Sequence, residues 1–159
     1  MTIAEQVVKA LIEKNWTISC AESCTGGKLT GAIVDVADAS KVLEASIVTY
    51  SNKAKQEYLQ VQEATLAQYG AVSEETAREM AIGIAKANHA QVGVAVTGTA
   101  GPGGGTEEKP VGTVCFGFYV DGRVETSRKE FGDLGRNVVR AASVEYALQK
   151  LYRYIQNRA

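Results

Sequence analysis

Short apolar runs alternate with amphipathic segments along the first two thirds of this 159-residue chain, and this alternation limits the folds that the chain can adopt more than any other feature. Residues 16–21, 45–50 and 92–96 have the length and apolar content of buried strands. The segments around them place apolar residues at three- and four-residue steps, which is the period of a helix. Strands and helices in alternation form a sheet with helices on both faces, so the pattern predicts an α/β fold.

The last third of the chain predicts a β-hairpin followed by a helix. Asp121-Gly122 stands between two strand-like segments, 111–120 and 123–131, and this dipeptide favours the type I′ turn of a two-residue hairpin. A final helix is predicted to begin near Asn137. We therefore expect residues 1–159 to form a single three-layer α/β/α domain with a mixed, mainly parallel sheet and a C-terminal antiparallel hairpin.

Composition and charge argue against several classes of function. With 17 Lys and Arg against 18 Asp and Glu, the net charge of −1 argues against a broad positive surface for nucleic acid or for an anionic membrane. No stretch approaches the roughly 18 consecutive apolar residues that span a bilayer, and the N-terminus lacks the apolar core of a signal peptide. Three cysteines without CxxC spacing indicate a reduced, cytoplasmic protein, and no pattern of ligand residues indicates a metal site.

Ser23 is the first candidate for chemistry. It stands between a predicted strand and a helix that is predicted to begin near Thr25. The free amides and the positive dipole end of such a helix would surround the Ser23 hydroxyl and could hold an oxyanion or another anion. The alternative is structural: Ser23 or Thr25 caps the helix, and Gly26-Gly27 allows close packing.

A serine nucleophile needs a base, and the single histidine of the chain is a poor candidate. His89 lies in a polar junction at a helix end, where a surface position is expected, and this argues against a Ser-His-Asp triad. A desolvated lysine, or a tyrosinate beside a lysine, can replace histidine. Tyr50, Lys53 and Lys55 supply these groups at the end of the second predicted strand, although alone they are also typical of a solvated turn.

A glycine-rich segment follows the third predicted strand. Five glycines fall within eight residues, between Gly98 and Gly105, and such a segment suggests that the backbone approaches a ligand, for example a phosphate. The segment matches neither a Walker A loop nor a dinucleotide fingerprint, and a mobile surface loop is the alternative. Arg136 and Arg140, one turn apart at the start of the last helix, either clamp a phosphate or are ordinary surface charges.

Four sequence blocks, in order along nearly the whole chain, are specific in combination. They read AESCTGG at 21–27, TYSN followed by AK at 49–55, GAVSE at 70–74, and TGTAGPGG through KPVGTV at 97–114. In these blocks the chain resembles the CinA C-terminal domain family. The resemblance implies hydrolysis of the carboxamide of nicotinamide mononucleotide to nicotinic acid mononucleotide and ammonia, in pyridine nucleotide recycling, without a metal or an organic cofactor.

The resemblance also assigns roles to individual residues. Ser23 matches the nucleophile, and Tyr50 and Lys55 match the groups that take and return its proton, whereas Lys53 falls where the family often has an acidic residue. Helix-start amides would hold the oxyanion or a substrate anion, the glycine-rich backbone would approach the nucleotide, and an arginine would reach the phosphate. The substrate-binding residues implied in this way are Thr25, Gly26, Gly27, Asn52, Thr97, Gly98, Ala100, Gly101, Gly103, Arg136 and Arg140.

The late segment Gly132-Asp133-Leu134-Gly135-Arg136 departs from the family's Gly-Asp-Arg pattern because it adds residues before Arg136. The alternative function is therefore a catalytically silent nucleotide-binding or regulatory paralogue of the same fold. A thiol enzyme that uses Cys24 is a weaker third hypothesis, since no resolving cysteine lies at CxxC spacing. The expected partner is a small nucleotide, and the hairpin edge either pairs with a second copy of the chain or is covered within one chain.

Overall fold

A mixed β-sheet forms the centre of the protein in this computed structural model, which describes residues 1–157. Its strands are β1 (Ile18–Glu22), β2 (Ile47–Val48), β3 (Val92–Gly98), β4 (Thr113–Val120) and β5 (Arg123–Glu130). Their order in the sheet is β2-β1-β3-β4-β5. The pairs of β1 with β2 and with β3 are parallel, and the pairs of β4 with β3 and with β5 are antiparallel. The prediction of a mixed sheet with a C-terminal hairpin is confirmed.

Helices cover both faces of this sheet. They are α1 (Ile3–Lys14), α2 (Lys28–Val34), α3 (Asn52–Leu59), α4 (Glu63–Tyr69), α5 (Glu74–Ala87) and α6 (Arg136–Gln156), with a short 3₁₀-helix at Ala39–Lys41. Buried residues of α1, α2 and α6 form one hydrophobic cluster with the sheet, and those of α3, α4 and α5 form another on the opposite face. The three-layer α/β/α prediction is therefore confirmed. None of the helices in the described part of the chain is both long and apolar enough to cross a membrane.

The alternation of side chains along the inner strands explains the two clusters. Cys20 and Val94 point to the face of α1 and α6, whereas Ala21 and Ala95 point to α5. Helix α5 lies directly on the sheet, because a Cβ on Gly117 would lie 2.2 Å from the carbonyl oxygen of Ala77. Helix α5 therefore packs over the middle of the sheet, on the same face as α3.

Two predictions around residues 45–59 are corrected by the structure. The predicted buried strand at 45–50 is only the two-residue β2, which lies at the sheet edge and pairs with β1 alone. Val48 in this strand is 48% exposed. Lys53 and Lys55 lie on helix α3 rather than in a solvated turn. Ser51 caps this helix by accepting a hydrogen bond from the amide of Ala54 at 3.0 Å.

The direction of β1, β2 and β3 determines where a site can form. Because these three strands are parallel, their carboxyl ends meet at one edge of the sheet. Ser23, Tyr50 and the glycine-rich segment each follow one of these ends. His89 precedes the amino end of β3, at the opposite edge, and it is exposed there.

Candidate active site

Ser23 and Lys55 form the chemical centre of this sheet edge. Ser23 follows β1 and Lys55 lies one turn into α3, and the Lys55 Nζ is 3.0 Å from the Ser23 Oγ. The same Nζ donates to two backbone carbonyl oxygens, those of Thr49 at 2.8 Å and Tyr50 at 3.2 Å. The Lys55 side chain is buried, with 1% of the residue exposed. A hydroxyl and an amine in direct contact can exchange a proton.

Burial changes the acid–base behaviour of Lys55. Desolvation lowers the pKa of Lys55 to about 8, and the electrostatic effect of the neighbouring Cys24 acts in the opposite direction. A neutral lysine amine keeps two N–H donors and one lone pair. In the structure the Nζ donates to the Ser23 Oγ and to the carbonyls of Thr49 and Tyr50. Once the ammonium loses a proton, two donors can stay on the two carbonyls, and the lone pair then faces Ser23. Lys55 can therefore act as a general base close to neutral pH.

Tyr50 contributes its backbone, rather than its phenol, to this centre. Its carbonyl oxygen contacts Lys55, and it lies 3.5 Å from the Ser23 Oγ. The side chain points outward, where Tyr50 is 62% exposed, and its hydroxyl accepts a hydrogen bond from Arg136 at 3.1 Å. In this geometry Lys55, and not the Tyr50 hydroxyl, is the group in contact with the Ser23 Oγ.

The turn between β1 and α2 differs from the expected helix start. Helix α2 begins at Lys28, and its N-cap residue Gly27 has φ +105° and no side-chain cap, so neither Ser23 nor Thr25 caps the helix. The cap comes from the carboxylate of Glu22. It accepts hydrogen bonds from the amides of Gly27, Leu29 and Thr30 at 3.1, 2.9 and 2.9 Å, and from the hydroxyls of Thr25 and Thr30 at 2.7 and 2.6 Å.

This network changes the interpretation of the predicted anion-binding amides. The Gly27 amide donates to Glu22, and the Gly26 amide donates to the carbonyl of Ser23 at 3.1 Å. Neither amide is free for an oxyanion, and the Thr25 hydroxyl is committed to Glu22. Glu22, to which the sequence had assigned no role, thus holds the turn that carries Ser23. The signal was present, since Glu22 belongs to the AESCTGG block, but no local rule identifies a strand residue as a helix cap.

The glycine-rich segment lines a small cavity beside the turn at residues 23–27, which carries Ser23 and is called the Ser23 turn below. The cavity has a volume of about 180 Å³ and is lined by Cys24, Tyr50, Gly98, Thr99, Ala100, Gly101, Gly103 and Arg136. A larger groove of about 560 Å³ lies between α3 and α5, with Tyr58 and Lys86 on its walls. We assign the site to the smaller cavity because Ser23 and Lys55 lie next to it, and because the two strand-end loops and Arg136 converge there.

Hydrogen bonds anchor the glycine-rich segment on the protein. Its two ends are joined by the Thr99 amide to the Thr113 carbonyl at 2.9 Å and by the Gly112 amide to the Thr99 carbonyl at 2.8 Å. The Lys109 Nζ donates to the Tyr69 carbonyl, and the Arg128 guanidinium donates to the Glu108 carbonyl at 2.7 Å. These contacts favour a loop that is fixed on the protein surface over the alternative of a mobile surface loop.

The two arginines of α6 have different surroundings. Arg136 lines the cavity, where it donates to the Gly101 carbonyl at 2.8 Å and to the Tyr50 hydroxyl. Arg140 donates to the carbonyls of Cys24 and Thr25 at 2.9 and 3.1 Å, and so stabilises the turn that carries Ser23. Of the two arginines, Arg136 lines the cavity and Arg140 does not.

The remaining candidates divide into two groups. Gly98, Ala100, Gly101 and Gly103 line the cavity together with Tyr50 and Arg136. Thr97 is buried in β3, and its hydroxyl donates to the Ala71 carbonyl at 2.9 Å, so its side chain holds the connection between α4 and α5. Asn52 is exposed at the first position of α3 and does not line the cavity.

Cys24 lies next to Ser23 but lacks the properties of a reactive thiol. It is 6% exposed, and desolvation raises the pKa of Cys24 to about 11. The thiol is therefore protonated at neutral pH, whereas a thiol nucleophile needs the thiolate. Within residues 1–157, no group of three or more His, Cys, Asp or Glu side chains is arranged to hold a metal ion.

Comparison with known proteins supplies a family context for this geometry. A family model described as the CinA C-terminal domain matches residues 1–155. The chain is 49% identical over 158 residues to nicotinamide-nucleotide amidohydrolase PncC of Enterobacter agglomerans, covering 98% of this chain and 95% of that protein. It is 47% identical over 159 residues to a putative competence-damage inducible protein of Alkaliphilus oremlandii, covering 100% of this chain but only 38% of that protein's length.

A solved structure shows the same fold. The crystal structure of competence/damage inducible protein CihA from Agrobacterium tumefaciens superposes with a TM-score of 0.92 at 41% sequence identity. The match covers 95% of this chain and 92% of that chain. The mixed sheet and both helical layers are therefore shared along nearly the whole domain.

Proposed function

Because this chain belongs to the CinA C-terminal domain family, we propose that it is an amidohydrolase that converts nicotinamide mononucleotide to nicotinic acid mononucleotide and ammonia. The observation that carries the proposal is the buried contact between the Ser23 Oγ and the Lys55 Nζ at 3.0 Å, with two backbone carbonyls directing the amine. The name of the Enterobacter agglomerans relative, which matches over nearly its full length, supports the substrate.

In the first half of the proposed reaction, Ser23 is the nucleophile and Lys55 carries its proton. The Ser23 Oγ forms a bond with the carboxamide carbon while its proton passes to the neutral Lys55 Nζ. The resulting ammonium donates a proton to the amide nitrogen, the C–N bond breaks, and ammonia leaves. The product of this half is an ester between Ser23 and the nicotinoyl group.

In the second half, water replaces ammonia. Lys55 takes a proton from water, the oxygen attacks the ester carbon, and the proton returns to the Ser23 Oγ as the C–O bond breaks. Nicotinic acid mononucleotide then leaves. For the oxyanion that forms in each half, we propose the amides of Cys24 and Thr25, because the amides of Gly26 and Gly27 already have acceptors.

Substrate binding is assigned to the cavity beside this pair. The Arg136 guanidinium would form a charge-assisted contact with the phosphate, and the backbone at Gly98–Gly103 would approach the nucleotide. The Tyr50 ring, exposed above the cavity and held by Arg136, offers an apolar face to the pyridine ring. We place the reaction in the recycling of pyridine nucleotides, in the cytoplasm.

The proposal is tested by incubating the purified protein with nicotinamide mononucleotide and measuring ammonia and nicotinic acid mononucleotide in equal amounts. We expect turnover by the wild-type protein and none by Ser23→Ala. Undiminished activity of Ser23→Ala would contradict the role of Ser23 as the nucleophile. If the mononucleotide raises the melting temperature of the wild-type protein but stays intact, the protein is a silent binder, which is the alternative favoured by the lengthened Gly132–Arg136 segment.

A further inference from the structure

The carboxylate of Glu22 lies at the centre of the Ser23 turn, on the side away from Lys55. It is fully buried and accepts five hydrogen bonds from Thr25, Gly27, Leu29 and Thr30. We infer that Glu22 is a positioning residue, whose buried carboxylate fixes the direction in which Ser23 presents its Oγ to Lys55. The inference rests on the proposed role of Ser23 as nucleophile, and it assigns to Glu22 no contact with the substrate.

The alternation of β1 explains how Glu22 acts through the turn. Successive strand residues point to opposite faces, so Glu22 points to α2 while Ser23 points to α3. The Ser23 amide donates to the Val96 carbonyl at 2.9 Å, which anchors the residue on its amino side. On its carboxyl side, the backbone closes around the Glu22 carboxylate. The direction of the Ser23 Oγ therefore depends on how tightly this turn is held.

The donors around Glu22 show why its charge matters. Three amides and two hydroxyls point at two carboxylate oxygens, and an ionised carboxylate can accept from all of them. A glutamine of the same shape would replace one oxygen by an NH₂ group. That group would face either the Thr30 amide or the amides of Gly27 and Leu29, and two donors that face each other in a buried site leave both without a partner. The turn would then relax.

Arg140 braces the same turn from the opposite side. It binds the carbonyls of Cys24 and Thr25, while Glu22 binds the amides and hydroxyls that follow. The Glu22 carboxylate thus accepts from the donors of this short segment, and the Arg140 guanidinium donates to its carbonyl oxygens. A nucleophile that must stay within hydrogen-bond distance of its base requires this kind of support, because a misplacement of about 1 Å can lower a rate by about 10²-fold.

The test measures Ser23 directly in Glu22→Gln. The rate of covalent labelling by a fluorophosphonate reports the reactivity of Ser23 without a mononucleotide, and kcat and KM for nicotinamide mononucleotide are measured beside it. We expect the labelling rate and kcat to fall by about 10²-fold, while KM stays within a few fold because the cavity at Gly98 and Arg136 is unchanged. Glu44→Gln, the same change at an exposed carboxylate, should leave all three unchanged.

A second variant covers the case in which Glu22→Gln does not fold. Thr30→Val keeps the shape of the residue and its amide, and removes only one of the five hydrogen bonds to Glu22. We expect a smaller fall in the labelling rate and in kcat, again without a matching rise in KM. An unchanged labelling rate in folded Thr30→Val, when Glu22→Gln is unfolded, would overturn the inference.

The remaining outcomes separate the inference from the proposed function. An unchanged labelling rate in folded Glu22→Gln would reduce Glu22 to a helix cap. A change in KM as large as the change in kcat would indicate that the whole site has loosened, and it would also overturn a positioning role. A wild-type Ser23 that the reagent does not label would overturn the inference as well. Labelling of the wild-type protein that depends on Glu22, without hydrolysis of the mononucleotide, would support the inference and contradict the substrate.

Discussion

The loops that follow β1 and β3 lie at the same edge of the sheet, but different groups hold them in place. Charged side chains hold the loop after β1, since Glu22 binds it from within and Arg140 from outside. Backbone hydrogen bonds hold the base of the loop after β3, where Thr99 pairs with Thr113 and Gly112. The charged contacts of this second loop, through Arg136, Arg128 and Lys109, go to backbone carbonyl oxygens rather than to a buried carboxylate. The first loop carries Ser23, the proposed nucleophile, and the second lines the cavity.

This difference fits the separate tasks that we propose for the two loops. A nucleophile needs a fixed distance to its base, and buried charges with complete sets of partners provide it. A loop that binds substrate needs a backbone that can approach the ligand closely, and glycine provides that. Changes in the first loop should therefore alter kcat, and changes at the cavity should alter KM. The predictions below test this separation.

The largest effect is expected for Lys55→Met, which keeps the length of the side chain and removes the amine. Because Lys55 is the group in contact with Ser23, we expect kcat to fall by about 10⁴-fold or more. Lys53→Met is the matched control two residues away, since the Lys53 side chain is 83% exposed and pairs only weakly with Glu57 at 3.8 Å. Similar activities of the two variants would contradict the role of Lys55.

A comparison of the two arginines should separate the loops. Arg136→Met removes the charge at the cavity, and we expect KM to rise by about 10- to 100-fold, the range for a charge-assisted contact. Arg140→Met removes the brace of the Ser23 turn, and we expect its main effect on kcat instead. Steady-state kinetics of both variants provide the test. If both raised KM equally, the two loops would not have separate tasks.

The fold was largely predictable because its strands and most helices follow apolar periodicity, as in α5 and α6. Helix α3 was not, because its inward-facing positions are Lys55 and Leu59. A lysine in a buried position contributes a polar residue to the pattern, so the hydrophobic signal of the helix is lost. Lys55, whose buried position removes the hydrophobic periodicity of this helix, is also the residue to which the family resemblance assigns a catalytic role.

The structure brings together Ser23 and Lys55, two of the residues named from the sequence, but their surroundings could not be predicted. The resemblance named Ser23, Tyr50 and Lys55, but only the folded chain shows that Tyr50 offers its carbonyl to Lys55 and its hydroxyl to Arg136. Glu22 had no predictable role, since its partners lie up to eight residues further along the chain. Such contacts depend on how β1 and α2 pack, and short-range sequence rules do not contain that information.

The pH dependence of the reaction should report Lys55. In the proposed mechanism the neutral amine is the base, and burial lowers the pKa of Lys55 to about 8. In the free enzyme, kcat/KM should therefore rise about tenfold per pH unit below pH 8 and level off above it. The value of kcat/KM rises with pH because Lys55 loses its proton as pH rises, and the neutral amine is the form that can accept the proton of Ser23. A rate that is flat from pH 6 to 8, with a rate-limiting chemical step, would argue against a neutral lysine base.

The smallest effect is expected at the far side of the glycine-rich loop, where Lys109 donates to the Tyr69 carbonyl. Lys109→Met removes this partly exposed contact, which is worth about 1 kcal/mol, while the backbone pairs at Thr99 remain. We expect faster hydrogen exchange within residues 100–110 and a rise in KM of a few fold, with kcat unchanged. Lys129→Met, at an exposed position of β5, is the control. A fall in kcat without a change in KM would show that the two loops are mechanically coupled, and that backbone bonds alone do not isolate the cavity from the nucleophile.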